Sequence, residues 1–430
     1  MGRPRDTLVT GMGFCLPGTG GLCAAREDFW DVVSTGSLLI DRGDRYAGVI
    51  EADLLAEAAA RLPGVSPRYL ANYSPVQLYS LISVAEACRD SGLSVEDGDL
   101  AEAGLLNARH CLDANFLVQQ RALTADLETT TPPEARGLVA RSMIGGQLND
   151  TTLAQVSALR NTGPSYTVST SCASGGVLFG IAQRMIAAGE ADLVLVTGAD
   201  QYDSGRRADF DAVAARAVEG LDLSDSVGVT HRMMRPYDRR TGGLNVGDGA
   251  ATIVLESRER VEATGRLDRA GAVLVSQSTR RSPVRSTMAI DQEGVGVALA
   301  IERCLAGHLD PAEVDYVSGG AEGSPVFHSM ESTALRAVFG DRVRELPVSV
   351  QEACFGHSGS PLGSMGVAAV TLMMEHGVIC HTAGCEEPDP ACEFDPVADG
   401  KPREATVDHA VSLNYGSGMV SSAILLERLR

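Results

Sequence analysis

An α/β fold is predicted by one stretch of the chain above all. A β-branched and aromatic run, Tyr166-Thr-Val, is followed by a tight small-residue turn, Ser169-Thr-Ser-Cys172-Ala-Ser-Gly-Gly176, and then by the apolar segment Val177–Ala188. After a turn at Ala188-Gly-Glu comes a second buried-strand run, Leu193-Val-Leu-Val-Thr-Gly. Strand, turn, helix and strand in that order form a unit of the α/β kind. Size and composition agree: 430 residues, 44% hydrophobic, with 47 glycines for strand–helix turns, suit one two-lobed unit with a large core.

The turn places Cys172 at the mouth of the helix. Free backbone N–H groups and the helix dipole there favour thiolate over thiol, which makes the sulfur a candidate nucleophile near neutral pH. Taken alone, a cysteine in such a chain is as readily a small buried hydrophobe. Its context decides the matter.

Four further segments carry a resemblance to the ketosynthases of the thiolase superfamily. Pro236-Tyr-Asp238 with Gly247-Asp-Gly-Ala-Ala251-Thr-Ile-Val-Leu-Glu256 is similar to that family's Pro-Phe-Asp…Gly-Glu-Gly-Ala-Gly block. Gly356-His357, followed by Ser-Gly-Ser-Pro-Leu-Gly-Ser-Met-Gly, is similar to its Gly-His loop. Tyr415-Gly-Ser417-Gly418-Met resembles its C-terminal Phe-Gly-Phe-Gly-Gly turn, and Leu8-Val-Thr-Gly-Met-Gly with Phe29-Trp30 resembles its first strand. The resemblance implies a thiolase-like α/β fold of two similar halves in an α-β-α-β-α layering, here residues 1–258 carrying the nucleophile and 259–430 carrying the histidine loop. Strands of the second half are expected at Ala272-Val-Leu-Val, Val314-Asp-Tyr-Val and Ala410-Val-Ser-Leu, and a last one at Ala423-Ile-Leu-Leu. It further implies Cys172 as nucleophile, His357 as proton-handling and oxyanion-supporting group, the backbone N–H groups of Cys172 and Ser417 as an oxyanion hole, and Tyr415, Gly418 and Gly320 at the substrate.

Two departures from the family pattern bear on the reaction. The first family histidine would fall at Gly320 in Asp315-Tyr-Val-Ser-Gly-Gly320-Ala-Glu322, and the family lysine five residues before the second histidine falls at Glu352. The sole lysine of the chain is Lys401, so no small shift of register supplies one. Glycine has no side chain to donate a hydrogen bond or shuttle a proton. Losing one donor to a developing oxyanion costs typically ~2.7–4 kcal/mol, and a nearby carboxylate disfavours both a malonyl group and its enolate. Acyl transfer asks for less, and its parts survive. The expected function is therefore transfer of an acyl group from a carrier-protein thioester to Cys172 and its processing without decarboxylation, by intramolecular aldol or lactone closure. Ring-forming, standalone ketosynthase-like enzymes of γ-lactam-β-lactone assembly are the resembling case. A partly desolvated Glu352, its pKa raised toward neutrality, is the expected base. The alternatives are transfer to an external nucleophile, a decarboxylating condensing enzyme with an atypical site in which His328 or water replaces the lost histidine, and a non-catalytic partner of the chain-length-factor kind.

His328 and Glu331, at i and i+3, are expected to form a structural pair on one helical face. His110, His231, His308, His376, His381 and His409 show no catalytic motif and are read as ordinary residues. The net charge of −20 argues against nucleic acid as a partner. It also leaves an acidic carrier protein needing a local arginine patch, for which Arg280, Arg281 and Arg285, or Arg206, Arg207, Arg232, Arg235, Arg239 and Arg240, are candidates. Ten cysteines without a CxxC pair, and no established zinc spacing at His376, Cys380, His381 and Cys385, predict no metal site. No cofactor is expected beyond the carrier's phosphopantetheine arm. With no signal-like start and no membrane-length apolar run, a reduced cytoplasmic enzyme acting as a homodimer is expected. Loops are expected at Thr129-Thr-Thr-Pro-Pro-Glu, at the charged segment from Asp203 to Arg232 and at Glu386–Pro396.

Overall fold

The structure, a computed structural model, describes residues 5–43, 45–110, 124, 129–202, 232–286 and 289–430. Its main sheet takes strands β1 (Thr7–Cys15), β2 (Gly104–Ala108), β3 (Ser165–Val168), β4 (Leu193–Asp200) and β5 (Gly249–Ser257) from the first part of the chain. From the second part come β6 (Ala272–Arg281), β7 (Tyr316–Ser318) and β8 (Val348–Ser349), and, after a small ribbon of β9 (Val378–Ile379) and β10 (Arg403–Glu404), β11 (His409–Gly416) and β12 (Val420–Arg428). The order is β3-β2-β4-β5-β1-β6-β12-β11-β7-β8.

The order contains the same five-strand pattern twice. In the first set β2 runs parallel to β3 and β4, and β5 antiparallel to β4 and β1. In the second, β7 runs parallel to β8 and β11, and β12 antiparallel to β11 and β6. The sets join through the antiparallel pair β1 and β6. Strands buried on both faces read as continuous apolar runs, as Leu193-Val-Leu-Val does.

Helices Ser174–Ala188 and Leu362–His376 lie against each other and against strands of both sets, forming the central layer. Pro75–Ser91 and Asp150–Leu159 cover the first set on its outer face, and Val295–Leu305, with Pro325–Phe339 beside it, covers the second. This is the α-β-α-β-α arrangement. The two central helices cross at glycine: a Cβ on Gly175 would stand 2.2 Å from the Ser360 carbonyl oxygen, and one on Gly363 would stand 2.3 Å from the Gly176 nitrogen. Any larger residue there would push the two helix starts, and the loops that precede them, apart.

The expected loop at Thr129–Glu134 is corrected in part. Pro132 opens a helix, Pro132–Gly145, whose N-cap Thr131 receives a capping box from Glu134. Proline at the first helical position loses only an N–H that has no intrahelical partner. The segment Glu386–Pro396 is a loop, tethered where Asp238 accepts the N–H groups of Glu386 and Glu387 and where Phe394 is buried. Residues 203–231, which hold most of the expected charged excursion together with Arg206, Arg207 and His231, lie outside the described residues. No helix among the described residues is long and apolar enough to cross a membrane.

Candidate active site

Parallel α/β sheets present their loops, and therefore their ligands, at the carboxyl ends of the strands. Here two parallel triplets do so toward one another. Past β2, β3 and β4 come His110, Cys172 and Tyr202; past β7, β8 and β11 come Gly320 and Glu322, Glu352 and His357, and Ser417. The two sets of loops meet at the sulfur of Cys172.

Cys172 immediately precedes Ala173, the N-cap of the Ser174–Ala188 helix, after Ser171 in a left-handed conformation (φ 60°). That reversal turns the thiol off the strand direction. His357 Nε2 lies 2.9 Å from Cys172 Sγ, and on the other side of the ring its Nδ1 lies 2.5 Å from Glu352 Oε1. Glu352, Ala353 and Cys354 form a single 3₁₀ turn, and Gly356 (φ 83°) packs against the Val246 carbonyl to bring the histidine back over the site. Glu322 stands behind the same nitrogen, 3.5 Å from Nδ1.

The electrostatics follow from this geometry. Burial pushes the Cys172 thiol up, but the His357 cation and hydrogen bonds from His110 and His357 outweigh it and bring the pKa down to about 6. Burial works against a His357 cation, and the Cys172 thiolate and Glu352 overcome it, holding the imidazole well above its ordinary range. The resting pair is thus thiolate and imidazolium. Glu322 is pushed up to about 7, chiefly by burial, with His357 opposing and Cys172 and Glu352 adding to the rise.

The expectation that Glu352 would face the acyl chain as a base meets a different placement: its carboxylate is engaged with the far side of His357, making a Cys–His–Glu chain. His110, expected to be ordinary, lies in the site. Its Nδ1 is 3.7 Å from Cys172 Sγ and 2.8 Å from the Tyr202 hydroxyl, and its Nε2 is 3.2 Å from Ser171 Oγ. The duplicated sheet is the signal that could have found it. His110 lies two residues beyond the end of β2, as Gly320 lies two residues beyond the end of the equivalent strand β7. Glu322, assigned no role by the sequence, is the other residue the structure adds.

At Gly320 the space for a side chain is taken. A Cβ there would meet the Tyr415 ring at 2.8 and 3.0 Å. The ring is fixed because the Tyr415 hydroxyl donates to Glu331 Oε1 (2.8 Å), which also accepts the Gly320 N–H (2.9 Å), while the Tyr237 hydroxyl donates to Glu331 Oε2 (2.6 Å). His328 does not pair with Glu331 and does not reach the sulfur. Its Nε2 accepts the Tyr237 N–H (2.9 Å), so its Nδ1 donates to Asp389 (3.1 Å). The Ser417 N–H, expected in the oxyanion hole, donates to Ser171 Oγ (3.0 Å). An acyl oxygen using that donor would take the place of the serine hydroxyl.

Two small cavities flank these groups. One of about 100 Å³ lies in front of Cys172 and is lined by Glu322, Phe327, Tyr415 and Gly416–Met419, including Gly418. The other, about 40 Å³, lies behind His357 between Glu352, Glu322, Gly320, Asn414 and Tyr415. Glu322 and Tyr415 border both. Among the described residues no cluster of His, Cys, Asp or Glu could hold a metal ion; His376 instead stacks on Trp30 with ring centroids 4.1 Å apart.

A cysteine at a helix mouth between the halves of a duplicated, five-layered fold fits the class of thiolase-like enzymes of the ketosynthase kind. The chain belongs to the β-ketoacyl synthase family: residues 5–260 match its N-terminal domain and residues 272–386 its C-terminal domain. It is 29% identical to the tetracenomycin polyketide synthase ketoacyl synthase alpha subunit of Streptomyces glaucescens, over 99% of this chain and 97% of that one. It is also 29% identical to a putative polyketide β-ketoacyl synthase 1 of Streptomyces halstedii, over 98% of each. Among solved structures, a type II polyketide acyl-carrier protein in complex with its ketosynthase bound to the hexaketide superposes with a TM-score of 0.80 at 18% identity, over 99% of this chain and 100% of that one.

Proposed function

We propose that this enzyme takes an acyl group from a carrier-protein thioester onto Cys172 and releases it without decarboxylation, by intramolecular ring closure, in polyketide-type natural-product assembly. The observation that carries this reading is the pair of carboxylates around His357 Nδ1, Glu352 at 2.5 Å and Glu322 at 3.5 Å, in a site whose Gly320 position is occupied by the Tyr415 ring. A malonyl carboxylate and the enolate it leaves would both meet negative charge where the family pattern offers a lysine and a histidine. An uncharged acyl chain meets no such penalty.

Loading uses groups already in place. The Cys172 thiolate attacks the thioester carbonyl, the pantetheine sulfur leaves, and the imidazolium of His357 protonates it. Glu352 holds the imidazole with Nε2 toward the sulfur and stabilises its cation, as the acid of a catalytic triad does. The Cys172 and Ser417 N–H groups are the proposed donors to the tetrahedral oxygen. Arg281, whose Nη1 is 3.5 Å from the Gly418 carbonyl at the cavity in front of Cys172, and the exposed Arg280 beside it supply local positive charge for an acidic carrier. The edge strand β3, with Tyr166 47% exposed, is the surface we assign to a homodimer contact.

A decarboxylating condensing enzyme is the second reading, because His110 brings another imidazole to 3.7 Å from the sulfur. Intact-protein mass spectrometry separates the two. Wild type and Cys172→Ala are each mixed with butyryl-carrier and malonyl-carrier thioesters, and the butyryl adduct is expected on wild type alone, with the malonyl group surviving intact. A two-carbon extension of the butyryl group would establish condensation instead.

A further inference from the structure

In the acyl-enzyme reading the group that attacks acyl-Cys172 must lose a proton, and two of the nearby groups are already engaged. Glu352, spent on His357 Nδ1, is turned away from the acyl position, and His357, neutral once it has protonated the pantetheine sulfur, has its Nε2 directed at Cys172 Sγ. We propose that Glu322 is the general base of the release step, and that the acyl chain it serves carries its own hydroxyl. This rests on the acyl-cysteine reading above and adds the residue and the substrate class to it.

Three observations place Glu322 in that role. It borders the cavity that contains Cys172, whereas Glu352 borders only the inner one. Its loop is braced at both ends: Glu331 accepts the Gly320 N–H at 2.9 Å, and the Thr241 hydroxyl donates to the Gly323 carbonyl, where φ is 82°. A carboxylate on a braced loop keeps its orientation when the pocket fills. Its side chain is 19% exposed, enough to exchange a proton with water, yet burial raises its pKa to about 7, so at neutral pH it is divided between carboxylate and acid. The charged or titratable groups facing it are His357, Cys172, Glu352 and His110, and Tyr415 lies alongside in both cavities. The cavity in front of the sulfur is about 100 Å³, a size suited to a short folded chain.

The step balances. The Glu322 carboxylate takes the hydroxyl proton as the oxygen forms a bond to the carbonyl carbon; the carbon–sulfur bond then breaks, and its electron pair returns to Cys172 as thiolate. The product is a lactone, and the proton on Glu322 returns, through water at the pocket mouth, to Nε2 of His357, which gave one up in loading. No oxidant, reductant or metal enters.

The test uses 4-hydroxybutyryl-pantetheine as probe, with the adduct followed by intact mass and γ-butyrolactone by chromatography. Wild type should acylate Cys172 and release lactone at a rate that climbs through pH of about 7. Glu322→Gln should acylate at a similar rate but release about 100-fold more slowly, with a flat pH profile, so that the adduct accumulates. Alkylation of Cys172 by iodoacetamide at the wild-type rate verifies that the variant's site is intact. Release from Glu322→Gln at the wild-type rate and with the wild-type pH profile, or failure of a normally alkylated Glu322→Gln to load, overturns the assignment to Glu322 while leaving the acyl-cysteine reading standing. Absence of any adduct on wild type removes both.

Discussion

Glu352 and His357 are joined at 2.5 Å through Nδ1, and this bond fixes which nitrogen of the imidazole faces Cys172. Where the family pattern has a lysine, this chain has the acid of a Cys–His–Glu chain. Removing the charge while keeping the shape should therefore disable the histidine. Glu352→Gln is expected to lower the rate of Cys172 acylation by about 10²–10⁴ while leaving the fold intact. Stopped-flow acylation with butyryl-pantetheine, alongside circular dichroism, measures this. An unchanged rate would mean that Glu352 does not orient His357.

The thiolate makes a second prediction. With the Cys172 pKa brought down to about 6, the thiolate predominates above that pH and protonation removes it below. Iodoacetamide alkylation of wild type should thus be on its plateau at pH 7 and fall as the pH drops through about 6. His357→Gln should move the inflection upward toward the ordinary thiol range, and His110→Gln should move it in the same direction by less, since His110 Nδ1 is 3.7 Å from the sulfur and His357 Nε2 is 2.9 Å.

Gly320 and Tyr415 should prove coupled. Because a Cβ at 320 meets the tyrosine ring at 2.8 Å, Gly320→His alone should destabilise the protein by about 1–3 kcal/mol through overpacking. Combining it with Tyr415→Ala should cost less than the sum of the two single changes. Urea unfolding of the double-mutant cycle reads the coupling, and strict additivity would show that the ring does not fill the site.

Arg109 holds two loops of the site together. It is 3% exposed, with Nε 3.0 Å from Asp150 Oδ1 and Nη1 2.9 Å from Asp200 Oδ1. Asp200 in turn accepts the His110 N–H at 3.0 Å and the Ser360 N–H at 2.8 Å, tying the loop after β2 to the one that carries His357. Arg109→Met leaves two buried carboxylates without their cation and should cost about 3–5 kcal/mol in denaturant unfolding. A loss under 1 kcal/mol would show that the cluster relaxes at little cost.

How far the sequence could be read depended on whether the information was local. The strand Tyr166-Thr-Val, the turn at Cys172 and the helix after it are contiguous, and each residue type states its own preference, so this unit was legible and the structure has it at β3 and Ser174–Ala188. The Gly-His loop was legible for the same reason. His110 and Glu322 are not legible, because their placement arises from strand ends brought together by the sheet order; no motif surrounds His110, and the segment around Glu322 reads only for the histidine it lacks at Gly320. Glu352 was found by its spacing from His357, but spacing cannot tell which side of an imidazole a carboxylate will take. The helix at Pro132 is not legible from the consecutive prolines, which read as a loop until the capping pair Thr131 and Glu134 is taken into account.

The central claim is that this site accepts an acyl thioester and refuses to decarboxylate a malonyl one. The most direct measurement is carbon dioxide release from a malonyl-carrier thioester labelled in its free carboxyl, with butyryl-loaded wild type and Cys172→Ala compared. The account predicts release from wild type no greater than from Cys172→Ala. Release that depends on Cys172, together with a butyryl chain longer by two carbons, would contradict it and identify a working condensing enzyme.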